Sequence, residues 1–148
     1  MEQFKVKIDF VIYDDNGNDK NSSEIVLFED AVNFTDAETR SFELIEKNNM
    51  RVAEIATIAK TFYERIDIVE GIEDDTDEAS FYEVVVKENH ETESGRIKVQ
   101  TVKYLVAAKS VTSVEYFVEK EIYDETLLDY KIFAVKNSKI VEVLNKEI

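Results

Sequence analysis

The chain writes one short pattern twice, and that echo limits what it can fold into. Phe34-Thr35-Asp36-Ala37-Glu38 reappears as Val111-Thr112-Ser113-Val114-Glu115, with Thr112 and Glu115 each 77 residues beyond Thr35 and Glu38. In this register Ala31, Ile45 and Ile55 meet the identical residues Ala108, Ile122 and Ile132, and no gap is needed from residue 31 to residue 66. Phe34, Ala37, Met50, Ile58 and Ile66 meet Val111, Val114, Leu127, Val135 and Val143. Five of these 36 positions are identical, so coincident helix starts and apolar spacing carry the argument rather than identity. A repeat of this length is one supersecondary unit packed against or beside its copy.

The unit reads as β-β-α-β. Phe4, Val6, Ile8 and Phe10 alternate with Lys5, Lys7 and Asp9, the period of a strand with one wet face. Asn16-Gly17 then marks a tight turn, because both residues tolerate positive φ, and a second strand is expected around residues 24 to 28. Thr35 and Glu38 have the spacing of a capping box and predict a helix there. Phe34, Ala37, Ser41 and Ile45 form its inward stripe, with Glu38, Arg40, Glu43 and Glu46 in water and Asn48-Asn49 at its end. Residues 51 to 60 read as a strand anchored by Val52, Ile55 and Ile58, and residues 62 to 69 as a further strand or a short helix.

In the second half the order is a strand over 81 to 87, a polar turn over 88 to 95, a long strand over 96 to 107 and a helix capped at Thr112. The expected fold class is α+β: two diverged β-β-α-β repeats, mainly antiparallel sheets with one helix packed on each. The repeats cover 1–69 and 81–148, joined by an acidic linker over 70–80, and with three Gly and no Pro the two are expected to pack as one compact unit. The core should contain Phe4, Val6, Ile8, Phe10, Ile45, Ile55, Ile58, Val84, Val86, Ile122, Ile132 and Val135.

Composition narrows the function. With no Cys there is neither a disulfide framework nor a thiolate metal site, and no apolar run reaches the ~18 residues of a membrane span. A cytoplasmic location is expected. The formal charge of −15 opposes binding to phosphates, and acids exceed bases in both halves.

Residue chemistry adds little that is catalytic. His90, the single histidine, sits among Glu88, Asn89, Glu91 and Glu93 and reads as an exposed loop residue, with no nucleophile motif to serve. Gly17, Gly71 and Gly95 are too far apart for a phosphate loop. Asp14, Asn16 and Asn18 have the alternation that opens a calcium loop, but Asp19 stands where glycine is needed and Ile25 where the last acid is needed. A hairpin turn accounts for them better. No cofactor, metal or catalytic residue is expected, and no enzyme.

Two surface features remain. Glu73, Asp74, Asp75, Asp77 and Glu78 belong to a run with six acids in nine residues, which reads first as a solvated linker and second as a partner-binding strip imitating phosphate spacing. Arg96, Lys98 and Gln100 share one strand face and are the candidate nucleic-acid surface, against the plainer reading of a polar sheet face.

Ala31-Val32-Asn33-Phe34-Thr35-Asp36-Ala37-Glu38, its echo from Ala108 to Glu115, and Ile55-Ala56-Thr57-Ile58-Ala59-Lys60-Thr61 together resemble a duplicated small domain-of-unknown-function family of phages and mobile elements of gut bacteria. The resemblance covers most of the chain and implies a phage-type context in the host cytoplasm or on the virion, without a catalytic residue to carry over. The acidic run and the Asp124-Glu125 turn depart from that pattern. The expected function is protein binding or assembly with a host or phage protein or with its own copies. The second expectation is an acidic mimic that inhibits a host defence enzyme, and the third an accessory single-stranded nucleic-acid binder.

Overall fold

The computed structural model describes residues 1–69 and 79–145. The protein is mixed α+β, with eight described strands in two four-stranded sheets and two α-helices. In chain order the elements are β1 (Glu2–Tyr13), β2 (Asp19–Ala31), α1 (Phe34–Lys47), β3 (Arg51–Thr61), β4 (Arg65–Ile68), β5 (Ser80–Glu91), β6 (Ile97–Ala108), α2 (Val111–Phe117), β7 (Asp129–Asn137) and β8 (Ile140–Leu144). A π-helical turn, Val118–Tyr123, continues α2.

The first compact unit is Met1–Phe62 completed by β8, with strand order β3-β1-β2-β8. Its β1–β2 hairpin closes at Asp14, whose carboxylate accepts the amides of Asn16 and Asn18 while Gly17 supplies the positive φ of 77°. Phe4, Val6, Ile8, Val26 and Phe28 form the buried core beneath α1, with Phe10, Ile45, Ile55 and Ile58 packed against them. Each fully buried side chain of this size contributes about 1.5–3 kcal/mol. Helix α1 starts earlier than the Thr35 cap predicts: Asn33 is the N-cap and accepts the Asp36 amide, while the Asp36 carboxylate accepts the Val32 amide in return. Asn outranks Thr at this position, and the reciprocal acid comes three residues after it. Ala37 and Ser41 are buried as the stripe predicts, but Phe34 is half exposed. Arg40 is withdrawn from water, bonded to Asp30 at 2.9 Å and lying over the Phe28 ring.

The second unit is Tyr63–Lys139, with strand order β4-β6-β5-β7. Val84, Val86, Val102, Tyr104, Val106, Ala108, Val114, Val118 and Tyr123 make its core, with Ile122, Ile132 and Val135 packed on it. Helix α2 is capped by Ser110, which accepts the Ser113 amide, again two residues before the expected Thr112. The polar turn is much shorter than expected. Strand β5 runs through Glu88 and His90 to Glu91 and pairs with β6 throughout, so the reversal spans only Thr92 to Arg96. Charged residues can continue a strand when the ladder and alternate-side burial hold it.

The compact units do not follow the chain halves 1–69 and 81–148. Strand β4, from the first half, pairs parallel with β6 in the second sheet, and β8, from the second half, pairs parallel with β2 in the first. Each half thus donates its last strand to the other's sheet.

Candidate functional site

The second unit carries a polar chain in the outer part of its core. Glu88 lies on the helix-covered side of β5, two residues beyond Val86, and is almost fully buried. Tyr123 donates to Glu88 Oε2 at 2.6 Å, and the hydroxyls of Tyr123 and Tyr104 meet at 2.9 Å. His90 Nε2 lies 2.9 Å from the other carboxylate oxygen, and Tyr130 stacks on Tyr123 with ring centroids 4.0 Å apart.

The π-helical turn places the central tyrosine. Residues five apart diverge by about 140° on an α-helix but fall on one face when the turn widens to i→i+5, so Val118 and Tyr123 are both buried. Burial, reinforced by the hydrogen bond to Glu88, pushes the Tyr123 phenol well above its usual range. Burial likewise raises Tyr104 and Tyr130. Among the described residues, the matching positions of the first unit carry no such chain. There the strand pairs Val6 with Ile58 and Ile8 with Ile55 correspond to Val84 with Val135 and Val86 with Ile132, which sets Phe10 at the place of Glu88 and Val26 at that of Tyr104.

On the opposite face the same end of the sheet is apolar and open. Ile97 and Val99 on β6 and Phe133 on β7 are each more than half exposed, and Leu127, just before β7, is fully exposed. Lys87 Nζ sits 3.9 Å from the centre of the Phe133 ring. Strand β7 is a nine-residue edge, with one side paired to β5 and no described strand on the other. Unpaired amides and carbonyls beside exposed apolar side chains are what an added strand of another chain uses.

A second charge cluster is structural. The nearly buried Glu83 accepts from the Tyr63 hydroxyl at 2.9 Å and lies 3.2 Å from Lys136 and 3.8 Å from Lys103. Burial alone would raise its pKa, but the Tyr63 and Lys136 hydrogen bonds and the two ammonium charges outweigh that and hold it below the ordinary carboxylate value.

Lys98 and Gln100 lie on β6 opposite His90 and Glu88 respectively, on the side of the strand that carries Val102 and Tyr104. Arg96 precedes β6 and its carbonyl closes the turn onto Thr92. The structure therefore brings Lys98 and Gln100 to the mouth of the Glu88 chain. Glu73, Asp74, Asp75, Asp77 and Glu78 lie outside the described residues. His90 is a strand residue held by Glu88 rather than a loop residue. The sequence signal for the chain was the alternation Val84, Val86, Glu88, His90, which continues the inward face of a strand across two polar residues. Among the described residues no cluster of three or more His, Asp or Glu is arranged to hold a metal ion, and no helix is long and apolar enough to cross a membrane.

The model of a family described as a domain of unknown function, DUF4494, matches residues 2–146. No curated protein and no solved structure matches the chain.

Proposed function

The chain belongs to the DUF4494 family, and we propose that it is a non-enzymatic, phage-associated protein that works in the host cytoplasm or virion by binding another protein. The β7 edge, with Phe133 on it and Leu127 just before it, both exposed, supports this reading most directly, and Ile97 and Val99 extend the apolar surface two strands away on β6. An extended partner segment would add to β7 through main-chain hydrogen bonds, and the aromatic and aliphatic side chains beside it would supply the anchor points. The test compares the tagged wild-type protein with Phe133→Glu, purified in parallel from infected cells and identified by mass spectrometry. The reading expects a defined phage or host protein that the variant loses while its circular dichroism is unchanged. Equal capture by both proteins would overturn it.

The charge of −15 favours one alternative, an acidic mimic that occupies the basic groove of a host defence enzyme. Neutralising Glu73, Asp74, Asp75, Asp77 and Glu78 to the amides would then abolish capture of a nucleic-acid-binding enzyme, whereas Phe133→Glu would leave it intact. The two halves of the chain, 1–69 and 81–148, are further read as diverged copies of one β-β-α-β module. Their matching strand partners and the shared Asn/Ser helix caps support a common plan, and the apolar-to-polar exchange at Phe10/Glu88 and Val26/Tyr104 is the divergence that gave the second copy its own chemistry.

A further inference from the structure

Strand β8 is the one described element of the first unit that follows the second unit in the chain. It completes the first sheet in parallel register, Leu27 opposite Val143 and Phe28 opposite Leu144, with Ile140 buried and Asn145 bonded to Glu29 at 2.6 Å. Only Ser138 and Lys139 connect it to β7. This hinge is held tightly: the Ser138 amide and hydroxyl both donate to the Phe81 carbonyl, and the Lys139 amide donates to the Asn137 side chain. It is also strained, because Lys139 takes a φ of 63°, a left-handed conformation that a side chain with a Cβ adopts at a cost.

We propose that the chain forms a reciprocal dimer in which β8 of each copy fills the slot beside β2 of the other. The occupant is a second copy because the slot is complementary to β8 itself. Every β2–β8 hydrogen bond and apolar contact would be made between chains as it is within one. The free energy of exchange then reduces to loss of independent motion, set against the hinge conformation, and a short strained hinge tilts that balance toward exchange. An opened hinge lets Lys139 return to negative φ. The inference rests on the strand connectivity and is independent of what binds β7.

The test uses the full chain and exploits its lack of cysteine. Leu27→Cys with Val143→Cys places two thiols on neighbouring registered positions, and after equilibration at high concentration and then oxidation, exchange yields disulfide-linked dimers on a non-reducing gel. Only intramolecular disulfides would overturn the proposal. Light scattering on variants without cysteine gives an independent readout. Lys139→Gly, which relieves the strain of the closed hinge in each of the two monomers that form a dimer and so removes the gain on opening, should weaken dimerisation by about tenfold or more. Lys139→Pro, whose ring forbids the observed φ, should drive the chain into the dimer. A wild type and Lys139→Pro that both remain monomeric at the highest concentration reached would refute the exchange.

Discussion

Replacing Tyr123 with Phe deletes one oxygen and nothing else, yet it acts at the centre of the buried polar chain. That hydroxyl donates to Glu88 Oε2 at 2.6 Å and is the 2.9 Å partner of Tyr104. A hydrogen bond to a carboxylate is worth about 1.5–3 kcal/mol, and a buried oxygen left without its donor costs about 1–3 kcal/mol. These overlap, because the lost bond and the stranded oxygen describe the same event. The expected loss is therefore about 2–3 kcal/mol, a large share of the roughly 5–15 kcal/mol that holds a protein of this kind together. In urea denaturation followed by far-UV circular dichroism, the midpoint should fall by about 1–2 M with little change of slope. Tyr116→Phe on the exposed side of α2 serves as the control and should stay within about 0.5 kcal/mol of wild type. Adding Glu88→Leu to Tyr123→Phe should cost clearly less than the sum of the two single changes, since no stranded carboxylate remains. A Tyr123→Phe midpoint that matches the Tyr116→Phe control would refute the account of this chain as a satisfied, mutually dependent unit.

Three further outcomes follow from named contacts. Glu83 titrates below its ordinary value when folded, so the unfolded chain binds its proton first as the pH falls; the stability it contributes is present above the usual carboxylate range and is lost on acidification. Glu83→Gln should flatten the acid limb of a stability–pH curve. Tyr104, Tyr123 and Tyr130 all titrate above the ordinary tyrosine value when folded, so stability should fall as the pH climbs past that value, and Tyr123, the most strongly raised, should show phenolate absorbance only as the second unit unfolds, a step that Tyr123→Phe removes from the spectroscopic titration. Asn33→Ala removes the acceptor for the Asp36 amide and should cost about 1 kcal/mol by denaturant titration, with Asn33→Ser restoring most of it.

Much of the fold was legible because it is written in local periodicity. The inward residues Phe4, Val6 and Ile8, and Val84 and Val86, are buried where strand alternation puts them, and both helices fall where the doubled pattern begins. The helix caps were misplaced by two residues because Thr35 and Thr112 have the right spacing to an acid, while Asn33 and Ser110 have the right backbone, extended at φ −163° and −154°. The strand exchange was not legible at all: nothing local in Arg65–Ile68 or Ile140–Leu144 says which β2-like strand it will pair with, since both candidates offer an apolar neighbour. The Glu88 chain was half legible. Alternation pointed Glu88 and His90 inward, but the unbroken polar run from Glu88 to Ser94 was read as a turn, and the tyrosines from β6, β7 and the π-helical turn are what make that burial affordable.

The most direct test of the binding account is hydrogen–deuterium exchange on the full chain, alone and with the protein it captures from infected cells. The account predicts slowed exchange over Asp129–Asn137, with smaller protection around Ile97 and Val99 and no change along β3. Protection confined to other strands, or to the acidic run over residues 70–78, would contradict it.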